Sequence, residues 1–246
     1  MYTFRTNEAG FGNLLIKLAS TNHECRKIHE NIVSKYELGN CITFNRYTIV
    51  TDDCDHPPSD RVSIGDQSNH LIQSIVSPTT FMSDMINTYT HLVKDVVAGI
   101  HIRRGSFSND STASLVHATD PWAFHSSDTT VSKFENIIES LNGKVYIASD
   151  SKSIKDRMKA KFGDKVKMLE CEFALTAQTT LPHQTPENYH KVYLEWFLLS
   201  MCPMLYITGG SKDFVGFSTF SYTAGVYGNK PMLPIFNEEK SRLNED

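Results

Sequence analysis

The chain has 246 residues, 40% of them hydrophobic, with 24 Lys plus Arg set against 28 Asp plus Glu. A formal charge of −4 gives no long-range pull on nucleic acid or anionic lipid, so any phosphate recognition must be local. The length suits one or two α/β domains, and no stretch reaches the apolar length that spans a bilayer.

The chain opens with an apolar run, Tyr2 to Phe4, followed by Asn7-Glu8-Ala9-Gly10-Phe11-Gly12-Asn13 and then Leu14, Leu15, Ile16, Leu18 and Ala19. This is strand, glycine-rich turn, helix. After a turn at Gly39-Asn40, strands are predicted over 41–44 and 47–50, and His56-Pro57-Pro58-Ser59 breaks regular structure. Phe81, Met82, Met85, Ile86, Tyr89, Leu92 and Val93 recur at helical spacing behind Pro78, which predicts one helix over 79–94. A boundary near Asp95 then separates a small N-terminal unit, 1–95, from a C-terminal unit, 96–246.

In the second unit, strands are predicted over 96–102, 144–148, 166–169 and 204–208, and helices over 131–141, 151–162 and 189–201. A last helix starts in 216–225 and precedes Lys230-Pro231-Met232-Leu233-Pro234-Ile235. Such alternation implies a doubly wound, mostly parallel sheet covered on both faces. The polar segments 109–127 and 174–188 read as long loops, either functional rims or disordered. All-round apolarity over Leu194, Trp196, Phe197, Leu198, Leu199 and Met201 fits a buried helix. Five cysteines, at 25, 41, 54, 171 and 202, show no paired spacing and read as free thiols of a reducing compartment. With no apolar signal core at the N-terminus, a soluble cytoplasmic protein is expected.

Gly-Ile-His-Ile-Arg-Arg-Gly at 99–105 sets two arginines at a strand end, where ligands bind in open α/β sheets. A guanidinium grips phosphate oxygens in a two-pronged way. Gly99, His101 and Arg103 alternate, so three small or polar groups share one face of an otherwise apolar strand and are expected to line a site. Ser149 and Asp150 end the next strand on the same rim; Asp150 either accepts hydrogen bonds from a base or ribose, or caps the helix that follows. Ser218, Thr219 and Ser221 cluster at a helix start, a ready anion site.

Three of these pieces, Gly-Ile-His-Ile-Arg-Arg-Gly at 99–105, Ile-Ala-Ser-Asp at 147–150 and Ser-Thr-Phe-Ser at 218–221, resemble the donor-site motifs of the fucosyltransferase superfamily. That group includes the α1,2-, α1,6- and protein O-fucosyltransferases. Gly10-Phe11-Gly12-Asn13-Leu14-Leu15 is similar to the turn that opens their first domain. The resemblance implies a GT-B fold: two Rossmann-like domains facing a cleft, with the acceptor side in 1–95 and the nucleotide sugar held by 96–246.

By the same resemblance, Arg103 would grip the β-phosphate and be the residue least replaceable for turnover. His101 would lie near the nucleotide, Arg104 would support the loop and Asp150 would read the guanine. Ser218, Thr219, Phe220 and Ser221 would receive the diphosphate, with Gly12 and Asn13 facing the cleft from the first domain. Ser106 stands where the family pattern carries an aspartate, a departure on the acceptor side.

The implied reaction is inverting transfer of fucose from GDP-fucose to a glycan hydroxyl. Donors preorganised at the departing phosphate lower its barrier with no metal or other cofactor. Asp110, Asp120 and His125 are the candidates for a base, and Trp122, Phe124 and Tyr222 for a sugar-stacking surface. The alternatives are a transferase of another nucleotide sugar, a manganese-dependent GT-A-like enzyme built on Asp53 and Asp55, and a nucleotide- or carbohydrate-binding module without turnover.

Overall fold

The computed structural model describes residues 3–4, 11–20, 27–30, 34, 37–45, 47–50, 71–104, 126–170, 185–211 and 217–237. Its N-terminal part holds a parallel sheet of β1 (Thr3–Phe4), β2 (Lys27–His29) and β4 (Thr48–Val50), in that order. Helix α1 (Phe11–Ser20) follows β1, as its apolar spacing predicts. The strand predicted over 41–44 starts one residue late, because Leu38–Cys41 forms a short helix, α2, and only Ile42–Phe44, β3, is extended. β3 pairs antiparallel with β5 (Val76–Pro78), which follows the short helix α3 (Ile72–Ile75).

Helix α4 (Thr80–Tyr89) is capped by Thr79, whose side chain accepts from the Met82 amide. The predicted extension to residue 94 is not helical beyond Leu92: Thr90–Leu92 tightens into a 3₁₀ turn, and Val93 donates back to the Thr90 carbonyl at 3.0 Å.

The C-terminal part is a five-stranded parallel sheet of β6 (Val96–Ile102), β7 (Lys144–Ser149), β8 (Val166–Met168), β9 (Leu205–Ser211) and β10 (Met232–Asn237). The strand order is β10-β9-β6-β7-β8. The chain winds outward from β6 through β7 to β8, then returns to the other side of β6 for β9 and β10. The order therefore reverses between β6 and β9, which opens a crevice at their carboxyl ends.

Period-two alternation divides the core between the faces of this sheet. Ala98, Ile100, Ile102, Val145 and Ile147 face α5 (Asp128–Ser140) and α6 (Lys152–Phe162) through Val131, Phe134, Ile138, Ile154 and Met158. On the opposite face Tyr146, Ala148, Leu205 and Ile207 join a cluster with α7 (Pro186–Met201) and residues of α1, α3 and α4. Residues on both sides of Asp95 thus share one apolar cluster. Each fully buried Leu or Phe contributes about 1.5–3 kcal/mol relative to its exposed state.

The long helix α7 is buried along Leu194 to Ser200. Trp196 anchors it: its indole N–H donates to Thr223 Oγ1 at 3.0 Å, and the Phe11 ring lies 5.3 Å from it, edge to face. Among the described residues, no helix is long and apolar enough to cross a membrane.

Candidate functional site

Arg103 and Arg104 follow β6 at the carboxyl rim of the sheet. Their roles diverge. Arg104 is 5% exposed; its guanidinium donates to the Ser126 carbonyl at 2.7 Å and pairs with Asp128 at 2.9 Å. That engages the side chain at the first turn of α5, beside the point where the chain rejoins the sheet, in keeping with a supporting role for Arg104. The Ser126 amide also donates to the Arg103 carbonyl at 2.6 Å, so the chain that leaves the sheet after Arg104 is pinned beside its point of departure.

Asp150 follows β7 but does not cap α6. That role belongs to Ser151, whose side chain accepts from the Ile154 amide. Asp150 Oδ1 instead accepts the Arg104 amide at 2.7 Å, and Ser149 Oγ donates to the Ile102 carbonyl at 2.6 Å. Both residues therefore brace the end of β6.

The face shared by Gly99 and His101 is not a ligand surface throughout. A Cβ on Gly99 would sit 2.7 Å from Leu205 Cδ2 and 2.8 Å from Cys202 Sγ, so Gly99 is glycine to let α7 and β9 pack against β6. One step along the same face, His101 is 4% exposed and its ring lies 5.3 Å from that of Phe220. Burial, followed by repulsion from Arg103 and then Lys155, pushes its imidazole down to about 3. The ring is neutral at ordinary pH, with one nitrogen free to donate and the other to accept.

Phe220 belongs to α8 (Thr219–Gly228), the helix after β9. Ser218 occupies its N-cap position, yet no side-chain bond caps the helix, and the Ser218 hydroxyl is buried. The free first-turn amides and the helix dipole leave this end positive. Thr219 and Phe220 are half-buried and Ser221 is fully buried, its hydroxyl donating to the Ser218 carbonyl at 3.2 Å. Tyr222 does not offer a sugar platform: it is buried with its ring 4.8 Å from Phe217.

Gly12, in the first turn of α1, meets the same place. A Cβ there would come within 2.4 Å of the Thr219 carbonyl carbon and 2.5 Å of the Phe220 amide nitrogen. Two helix starts thus converge, held by Phe11 against Tyr193 and Trp196 at 5.1 and 5.3 Å.

Three buried polar atoms on this rim, His101 Nδ1, Arg103 Nε and Ser218 Oγ, have no hydrogen-bond partner among the described residues. Buried polar atoms are normally satisfied, so these three, at the end of β6 and at the start of α8, are candidates for contact with a polar ligand. A guanidinium, a neutral imidazole, a serine hydroxyl and a helix start together suit an anion with several oxygens.

Sequence reasoning missed Thr208 and the pair Lys155–Glu195. Thr208, in β9, is fully buried and bonds both to Arg103 and to Ser218. Lys155, on α6, donates to Glu195, on α7, and to the Leu169 carbonyl at 3.2 Å, with both side chains buried. Burial, opposed by Lys155, pushes the Glu195 carboxyl up to about 7. An ion pair between helices on opposite faces of a sheet has no local spacing signature.

The side chain of Asn13, the triplet Asp53-Cys54-Asp55, Ser106, the base candidates Asp110, Asp120 and His125, and Trp122 and Phe124 lie outside the described residues. Among the described residues, no cluster of His, Cys, Asp or Glu has the makings of a metal site.

No protein-family model matches the chain, and no curated protein matches it. Its fold does have solved counterparts. The α-1,6-fucosyltransferase NodZ soaked with GDP-fucose superposes with a TM-score of 0.56 over 92% of this chain and 90% of that chain, at 14% identity. NodZ co-crystallised with GDP gives 0.55 over 91% and 89% at 13% identity, and NodZ from Bradyrhizobium gives 0.55 over 91% and 89% at 14% identity.

The chain shares the fold of these enzymes. At this identity the likeness is one of fold. It bears out the α/β architecture of GT-B type that the resemblance implies, and in this chain Arg103, Asp150 and Ser218 follow β6, β7 and β9 at the carboxyl rim of the parallel sheet.

Proposed function

We propose that the chain is an inverting glycosyltransferase that moves fucose from GDP-fucose to a hydroxyl of a glycan, without a metal. The observation that carries this reading is the meeting of Arg103 and the Ser218 helix start at the point where the strand order reverses, linked through Thr208. NodZ, whose fold this chain shares, has been crystallised with GDP and soaked with GDP-fucose. Residues 96–246 would hold the donor, and residues 1–95 would present the acceptor side.

In this reading the bond between the anomeric carbon and the β-phosphate oxygen breaks, and the electron pair leaves with GDP. The acceptor hydroxyl oxygen bonds to that carbon from the opposite face and gives up its proton. Arg103 grips the β-phosphate and is the catalytic residue, because negative charge builds where its guanidinium points two-pronged donors. The first turn of α8, with the Ser218 and Thr219 hydroxyls and its backbone amides, receives the remaining phosphate oxygens. Neutral His101 lies against the nucleotide, with Phe220 packed on its ring. Asp150 and Arg104 hold the rim, and Asp150 would read the guanine. Gly12 brings the first turn of α1 against the start of α8.

Thermal unfolding in the presence of GDP-fucose, GDP-mannose, UDP-glucose and UDP-galactose, followed by a transfer assay with and without EDTA, tests the proposal. Stabilisation by the GDP sugars above the UDP sugars and EDTA-resistant transfer are expected. Preference for UDP sugars, or activity abolished by EDTA, contradicts it. Tight GDP binding with no sugar release would mark a binding module instead.

A further inference from the structure

The ladder between β6 and β9 stops where the site begins, and one side chain stops it. Gly99, Ile100 and His101 pair with Leu205, Tyr206 and Ile207. The Gly99 amide donates to the Met204 carbonyl at 2.9 Å, which sets the phase: odd residues of β6 bond to even residues of β9. The rung after His101 would therefore run from the Arg103 amide to the Thr208 carbonyl.

That rung is intercepted. The Arg103 amide donates instead to the Thr208 hydroxyl at 2.9 Å. The same hydroxyl donates to the His101 carbonyl at 3.0 Å, and Ser126 Oγ lies 2.9 Å from it. The Thr208 carbonyl, released from the ladder, accepts the Ser218 amide at 2.9 Å. Thr208 thus uses its side chain in place of its own carbonyl toward one strand and spends the carbonyl on the start of α8.

We infer that the Thr208 hydroxyl is a positioning group for the anion site: it ends the β6–β9 ladder, parts the strands at the crevice, and sets Arg103 against Ser218. Its functional half rests on the diphosphate reading given above. A valine of the same shape cannot intercept the rung, so the Arg103 amide reclaims the carbonyl and Ser218 loses its anchor. A serine keeps the hydroxyl and the arrangement.

The test uses full-length T208V and T208S in two arms. In amide hydrogen exchange, the Ser218 amide of T208V should exchange about tenfold faster than in wild type, the size of one lost hydrogen bond, while T208S stays at the wild-type rate. Unchanged Ser218 protection in T208V, or equal loss in T208S, overturns the inference. In calorimetric titration with GDP and with GMP, T208V should lose about tenfold of the preference for GDP, and T208S should keep it. A T208V protein that retains the wild-type preference overturns the positioning role. If wild type itself binds GDP no better than GMP, the diphosphate reading fails, and the exchange arm alone decides whether Thr208 governs the ladder.

Discussion

The rings of His101 and Phe220 lie 5.3 Å apart, tilted by 35°, so the end of β6 is packed against the first turn of α8. The contact explains why a histidine can sit nearly sealed at a strand end: an aromatic ring covers it and its charge is excluded.

That exclusion makes folding pH-dependent. An unfolded histidine titrates near about 6.5, whereas His101 is pushed down to about 3 by burial, then Arg103 and Lys155. Between these values the unfolded chain holds a proton that the folded chain refuses. Stability therefore falls as the pH drops through this window, by up to about 1.4 kcal/mol per pH unit. Glu195, raised to about 7, opposes this trend because its folded form holds the extra proton. The His101 contribution is thus the difference between wild type and His101→Asn. Urea unfolding near neutrality and at about pH 5 should show wild type losing ground to the variant on acidification; a difference independent of pH would refute the assignment.

Gly12→Ala places a methyl against backbone rather than a yielding side chain, at 2.4 Å from Thr219 and 2.5 Å from Phe220. Overpacking of this kind costs about 1–3 kcal/mol, and separating the two helix starts should weaken GDP binding as well. Denaturant unfolding and a GDP titration would detect both. Wild-type values in both measurements would mean that the close approach is not required.

The Lys155–Glu195 pair should behave as a buried couple in which each member depends on the other. Lys155→Met removes the cation that holds the Glu195 carboxyl down, so near neutrality the buried carboxyl keeps its proton and the loss of stability should be about 1–3 kcal/mol, the cost of the missing partner. The double variant Lys155→Met, Glu195→Leu should recover much of this, since it removes both charges. Thermal and urea unfolding of the four-member cycle gives the coupling. Additive effects would show that the two side chains act independently.

How much of this was legible in the sequence follows from the range of the signals. The strands at 96–102 and 144–148 were readable because continuous apolar runs suit a strand buried on both faces. β2 was not, since Lys27–His29 offers a single apolar residue, and its extension comes from pairing with β1 and β4. Thr185 and Ser127 cap α7 and α5 four residues ahead of the predicted starts, where polar first turns hide the apolar period. At the site, Arg103, His101 and Ser218 stood out by residue type. Thr208 did not, because one hydroxyl in a strand carries no pattern, and its role exists only through Arg103 and Ser218, remote from it in sequence.

In the proposed function Arg103 and the start of α8 form one diphosphate site, and calorimetric titration of GDP into wild type and Arg103→Ala decides whether they do. Loss of a two-pronged charged contact to phosphate should weaken binding about 10- to 10²-fold, from roughly 1.5–3 kcal/mol of charge-assisted hydrogen bonding. Equal GDP affinity in the two proteins would contradict the account.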